Sequence, residues 1–318
     1  MDCVLRESRS QVLSKKRQFI GFIEAMGSFG GHALPGSFFI IFALWWTFQI
    51  FNRYFTCRRK NIKFTATPTF PCSCLCGRFS RWPIEPCVKI FFTAVGGSIE
   101  IITGYDFKER VFNTIGNGQH ATMFFFYGLS GVMDILVHFR TNVPEDVDYV
   151  MLAMAIGIEG LLFHFHLHGR APLNTLVHVL LIYTIFANFI AVIVEMRYRH
   201  NILSPLMRTY FLFLQGMWFW QVAFILFNPN PNAIPWDPED HEQMMVATMI
   251  FTWHCGVVFL IMLGIGGFVG WWHSRCGGRD ARGYFMKLNE HKTNGDAAIL
   301  TMDDCESDND FEAPLNES

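Results

Sequence analysis

Seven stretches of about twenty predominantly apolar residues, each bounded by charge, Pro or Gly, dictate the solvent of this chain. They occupy residues 32–51, 86–105, 119–139, 148–167, 172–194, 208–227 and 244–271. A helix needs ~20 such residues to cross a hydrocarbon core of ~30 Å. Backbone groups in lipid must be satisfied within the element, and continuous apolar runs lack the alternation of a barrel strand. The windows therefore predict an all-α membrane protein, a seven-transmembrane-helix bundle, with the lipid bilayer as its first partner. The second window, which carries Lys89, Gly96, Gly97 and Glu100, is the least apolar in character.

Composition agrees with a membrane class and excludes others. Of 318 residues 51% are hydrophobic and only 16% charged, with 34 Phe, which is incompatible with disorder along the main body. The 25 Lys+Arg against 27 Asp+Glu form no long basic stripe, so nucleic acid has no electrostatic footing.

The organisation is an N-terminal extension (1–31), a membrane domain (32–271) and an acidic, disordered cytosolic tail (272–318). Residues 1–18 are polar and basic without an apolar core, so the first span is expected to act as its own insertion signal. Pro35, Pro86 and Pro172 fall near window starts, where a missing amide hydrogen costs little. The connection 52–85 is long, basic and rich in Cys and Pro, and is expected to be solvated. One side collects Arg53, Arg58, Arg59, Lys60, Lys63, Arg78, Arg81, Arg140, Arg197, Arg199, Arg208, Arg275, Arg279 and Arg282. The other holds Lys15, Lys16, Arg17, Lys108, Arg110 and Arg170. By the positive-inside bias the N-terminus is expected to be lumenal or outside and the C-terminus cytosolic, in an endomembrane such as the Golgi or in the plasma membrane.

Nine Cys on this topology mostly face a reducing compartment. The CxCxC of Cys72, Cys74 and Cys76 has thiolates suited to a soft metal, but no second pair completes a site. Together with Cys57 and Cys276, these juxtamembrane thiols also read as lipidation sites.

Ionisable groups within spans are costly and mark candidate sites. Depth along each window places His120, His164, His166, His178, Glu100, Gln221 and His254 in one half of the bilayer, with His32 and His168 capping it and Glu159 near mid-depth. Asp134 and His138 lie toward the opposite face. Glu159 and His166 are seven apart and share a helix face, which is assigned to the interior; His164 and His168 share another. Such a pocket could hold zinc or iron through imidazole and carboxylate, a haem between His120 and His178, or a proton path. The plainer reading, and the one preferred on the sequence, is a packing network of hydrogen bonds across helices. His164 and His168 form a lone HxxxH without companion boxes, and His241-Glu242 lacks the second His of a zinc-protease motif because position 245 is Met. Gly96, Gly97, Gly128, Gly131, Gly264, Gly266 and Gly267 are expected to allow close helix approach.

The segments MGSFGGHALPGSFF (26–39), QHATMFFFYGLSGVMDIL (119–136), IEGLLFHFHLHGR (158–170), LQGMWFWQ (214–221) and Trp253-His254 resemble the transmembrane protein 45 family, in order and through nearly the whole span region. The resemblance implies a multi-pass endomembrane protein, some members being linked to the Golgi, without an established molecular activity. Its motifs coincide with His32, His120, Glu159, His166, His168, His178, Gln215, Gln221 and His254. Two functions follow as expectations. One is a non-enzymatic protein of the secretory system acting through trafficking or membrane-protein partners. The other is a metal- or haem-dependent membrane oxidoreductase or hydrolase using His120, Glu159, His166, His178 and His254, with His32, Glu100, His168, Gln215 and Gln221 in support. A seven-span receptor fits less well, because no acidic-Arg-aromatic triplet ends the third window.

Overall fold

The computed structural model describes residues 2–70, 82–167 and 169–276, with side chains at 29–70, 82–167 and 169–275. The described chain is built on α1 (Asp2–Lys60), α2 (Ile84–Gly104), α3 (Ile115–His138), α4 (Val147–Phe165), α5 (Pro172–Arg197), α6 (Leu203–Phe227) and α7 (His241–Cys276). The α2–α3 connection folds into a two-residue ribbon, β1 (Tyr105–Asp106) paired antiparallel with β2 (Val111–Phe112). Each apolar window becomes one helix, and all seven are long and apolar enough to cross a membrane. The protein is a multi-pass integral membrane protein.

The windows and helices differ where a charge or a proline served as a boundary. α1 runs unbroken across position 31, so Pro35 is interior to the helix rather than at its start. Within that helix, the segment Phe29–Lys60 contains a stretch long and apolar enough to span a membrane. Pro172, by contrast, does open α5, where its fixed φ suits the first turn. α6 begins at Leu203, placing Arg208 inside the helix and not in a connection.

The connection after α1 also departs from a solvated loop. Phe64, Ala66 and Phe70 are buried against the bundle end. The Ala66 amide donates to the Arg199 carbonyl at 2.8 Å, and the Phe70 amide donates to Glu85 Oε2 at 3.0 Å. This segment therefore straps the α5–α6 turn to the start of α2. The CxCxC thiols of Cys72, Cys74 and Cys76, the side chains of His168 and Cys276, and the acidic tail from 277 onward lie outside the described residues.

Packing is not in simple chain order. α1 lies along α6 and α7, while α2 pairs with α3; the α1 and α2 backbones stand further apart and are bridged by side chains, Trp45 and Trp46 on Glu85 and Phe38 on Phe92. One apolar core surrounds Leu181, Ile185, Trp218 and Phe219, and a second surrounds Trp46, Ile50, Phe213 and Leu214. α1 and α6 cross most closely at Gly36 and Gly216. A Cβ on Gly36 would lie 2.9 Å from the Gly216 carbonyl oxygen, and one on Gly216 would lie 2.8 Å from that of Gly36. Of the glycines expected to permit close approach, Gly96, Gly128, Gly131 and Gly266 do so, whereas Gly264 and Gly267 meet no atom within 4 Å. α7 offers only part of its circumference to other helices, so the face bearing those two glycines is left open.

Candidate functional site

Alternation of chain direction brings the C-terminal ends of α2 and α4 level with the N-terminal ends of α3 and α5. Glu100, His120, His166 and His178 therefore meet at one level, with His32 of α1. His120 Nδ1 lies 3.4 Å from Glu100 Oε1. Ring centroids run from His120 to His166 at 5.3 Å, from His166 to His178 at 6.4 Å and from His178 to His32 at 5.7 Å. Beside them a pocket, with about 440 Å³ of atom-free space when its open side is included, is lined by His32, Glu100, His120, Tyr127, Glu159 and Phe163, among others.

Hydrogen bonds fix the state of several of these groups. Glu159 is 2% exposed. Its Oε2 accepts from the Tyr127 hydroxyl at 2.7 Å and its Oε1 from Gln215 Nε2 at 2.9 Å. His166 Nδ1 is 2.8 Å from Gln119 Oε1, an acceptor, so the proton sits on Nδ1 and the lone pair on Nε2 faces the Arg170 guanidinium. Burial, followed by the charge of Arg170, lowers the His166 pKa to about 4. His178 Nδ1 is likewise committed to the Asn174 carbonyl at 2.8 Å.

Other expected members are elsewhere. His254 bonds its own helix at the Ile250 carbonyl and stacks edge-on to Trp218 at 5.7 Å, so Trp218 separates it from α5, to whose Val177 carbonyl the indole donates. Gln221 is half-buried and joins none of these contacts, and His164 is exposed. For the haem pairing of His120 with His178, the space is crowded: Phe163 has its centroid 6.3 Å from each ring, and His166 contacts both. Among the described residues no three His, Cys, Asp or Glu side chains converge in a way that could hold a metal ion. Cys57 is buried in the second core, a poor position for the acyl transfer that lipidation requires.

A second polar layer occupies the other half of the bundle. Lys89 Nζ donates to Asp134 Oδ2 at 2.6 Å and to Ser130 at 3.0 Å. Arg208 Nε donates to Glu195 Oε2 at 2.5 Å, Tyr149 donates to Glu195 Oε1 at 2.9 Å, and the guanidinium lies 4.3 Å over the Trp46 ring. Glu85 accepts from both Trp45 and Trp46 at 2.7 Å. Sequence reasoning missed this layer because Arg208 counted as an orientation charge and Lys89 only as a blemish on the second window. The usable signal was the same depth argument: Glu85, Lys89, Asp134, Glu195 and Arg208 sit at matching distances from alternating helix ends.

The family model described as a family of unknown function (DUF716) matches residues 145–266, from the turn before α4 to most of α7. The chain is similar to a family of transmembrane proteins of unknown function. Transmembrane epididymal protein 1A of Mus musculus is 25% identical over 91% of this chain and 97% of its own length. Transmembrane epididymal protein 1 of Rattus norvegicus is 24% identical, covering 79% and 83%, and that of Homo sapiens 26% identical, covering 59% and 76%.

Proposed function

We propose that this protein is a non-enzymatic member of the secretory or endomembrane system, of the transmembrane protein 45 kind, that works through trafficking or membrane-protein partners. Its N-terminus faces the lumen or exterior and its C-terminus the cytosol, in an endomembrane such as the Golgi or in the plasma membrane. The observation that supports this reading is that Glu159 and His166 are already occupied by protein partners, Tyr127 and Gln215 for the one and Gln119 and Arg170 for the other. A group so committed serves packing and register across helices, at ~0.6 to 2 kcal/mol per contact, rather than turnover.

A second reading, a zinc-, iron- or haem-dependent oxidoreductase or hydrolase, is favoured by the chain of neighbouring imidazoles from His120 to His32. The two separate by purifying the protein in detergent and recording an optical spectrum with elemental analysis. The packing reading expects no Soret band, no stoichiometric zinc or iron, and a lowered melting temperature in His178→Ala. One equivalent of metal or haem that is lost in His178→Ala overturns it.

A further inference from the structure

Where the α1 and α2 backbones stand apart and only side chains bridge them, an apolar cleft opens between α1 and the α2–α3 pair, with about 630 Å³ of atom-free space when its open mouth is included. Its rim carries half-buried phenylalanines, Phe38 and Phe42 from α1 and Phe92 from α2, with the Phe38 and Phe92 rings stacked at 4.4 Å. A seam between two spanning helices faces hydrocarbon, so the molecules that can reach it are those dissolved in the bilayer.

Behind its apolar lining, the inner wall holds two polar side chains. Asn188 of α5 lines the cavity and is 1% exposed, yet neither its Oδ1 nor its Nδ2 has a hydrogen-bond partner. Arg208 lines it as well, and its Nη1 is unpartnered too. Buried polar groups nearly always find partners, because leaving them unpaired in an apolar medium is costly. An amide lacking both a donor and an acceptor is completed by one hydroxyl, which offers both. Charge narrows the guest further. Lys89 is committed to Asp134 and Arg208 to Glu195, so an anionic headgroup would find no uncommitted cation on this wall.

We propose that this cavity binds a neutral membrane lipid with a single hydroxyl head, the hydroxyl against Asn188 and Arg208 Nη1 and the apolar body along Phe38, Phe42 and Phe92. The site borders the second polar layer through Lys89 and Arg208 and is independent of whether the histidine layer packs or binds metal. Sterols and diacylglycerols share the required chemistry.

The test uses the full chain in phosphatidylcholine vesicles carrying a diazirine sterol, a diazirine diacylglycerol or a diazirine phosphatidic acid, with cross-linked peptides mapped by mass spectrometry. One of the two neutral probes is expected to label the segments around Phe38 and Phe92. Asn188→Leu should reduce that labelling at least fivefold while leaving the melting temperature unchanged or higher, since it removes a buried unpaired amide. Leu152→Phe, which fills the cavity from α4, should reduce the labelling as well and decides the matter if Asn188→Leu does not fold. Equal labelling in the wild type and both variants overturns the proposal. So does phosphatidic acid marking the same peptides as strongly, or labelling confined to outward faces, which would mean a cavity that holds only water.

Discussion

Arg208 and Glu195 are each almost wholly buried, at 1% and 0% exposure, so neither charge can be relieved by water. Removing one member of such a pair leaves the other stranded, and that costs about 3 to 5 kcal/mol. Arg208→Met is therefore expected to lower stability by that order in a detergent denaturation series, and Arg208→Met combined with Glu195→Gln to recover more than half of it. A double variant no better than the single would show that the pair is not what Arg208 contributes. His166, at the membrane boundary, acts with the opposite sign to a salt-bridged histidine. Its folded pKa of about 4 lies below the ~6.5 of an unfolded histidine, so between those values the unfolded chain binds the extra proton. The contribution of the neutral ring is complete above about pH 6.5 and is lost as pH falls toward 4. The wild-type melting temperature should drop more steeply over that window than that of His166→Asn, by a modest amount because the ring is only half-buried; parallel curves would exclude the assignment.

Elements were the most legible scale. The seven windows and seven helices agree because spanning length and internal backbone bonding leave one solution. Most boundaries drifted by a few residues, and those at Pro35 and Arg208 drifted because each was taken as punctuation: the sequence shows that a proline or charge is present but not whether a neighbouring helix shelters it. Helix contacts were less legible, since a glycine's value depends on what lies opposite. Gly266 faces Phe51, whose ring would stand 2.6 Å from an added Cβ, while one residue further on Gly267 faces nothing within 4 Å. Gly266→Ala is thus expected to loosen α7 from α1 and lower the melting temperature by several degrees. Gly267→Ala should be neutral or stabilising by up to about 1 kcal/mol through helix propensity. Indistinguishable melting curves for the two would contradict this packing of α7.

At the scale of the whole molecule, the histidine layer was visible in the sequence because consecutive spans reverse direction, so depth from each end can be compared without knowing any contact. Orientation around each helix was visible only for α4, where the seven-residue spacing of Glu159 and His166 puts both on one face. His254 shows the limit: its depth suits the layer, but rotation of α7 puts it on the far side of Trp218. The order in which helices pair was not visible at all, and it has a cost during synthesis. Gly36 must find Gly216, about 180 residues later in the chain. At about 5 to 20 residues per second, translation takes on the order of 10 to 40 s to cover that distance. For that interval the first span waits in the bilayer without its mate, held by lipid or by an assembly factor, and a nascent chain that stalls before α6 emerges presents quality control with an orphan helix.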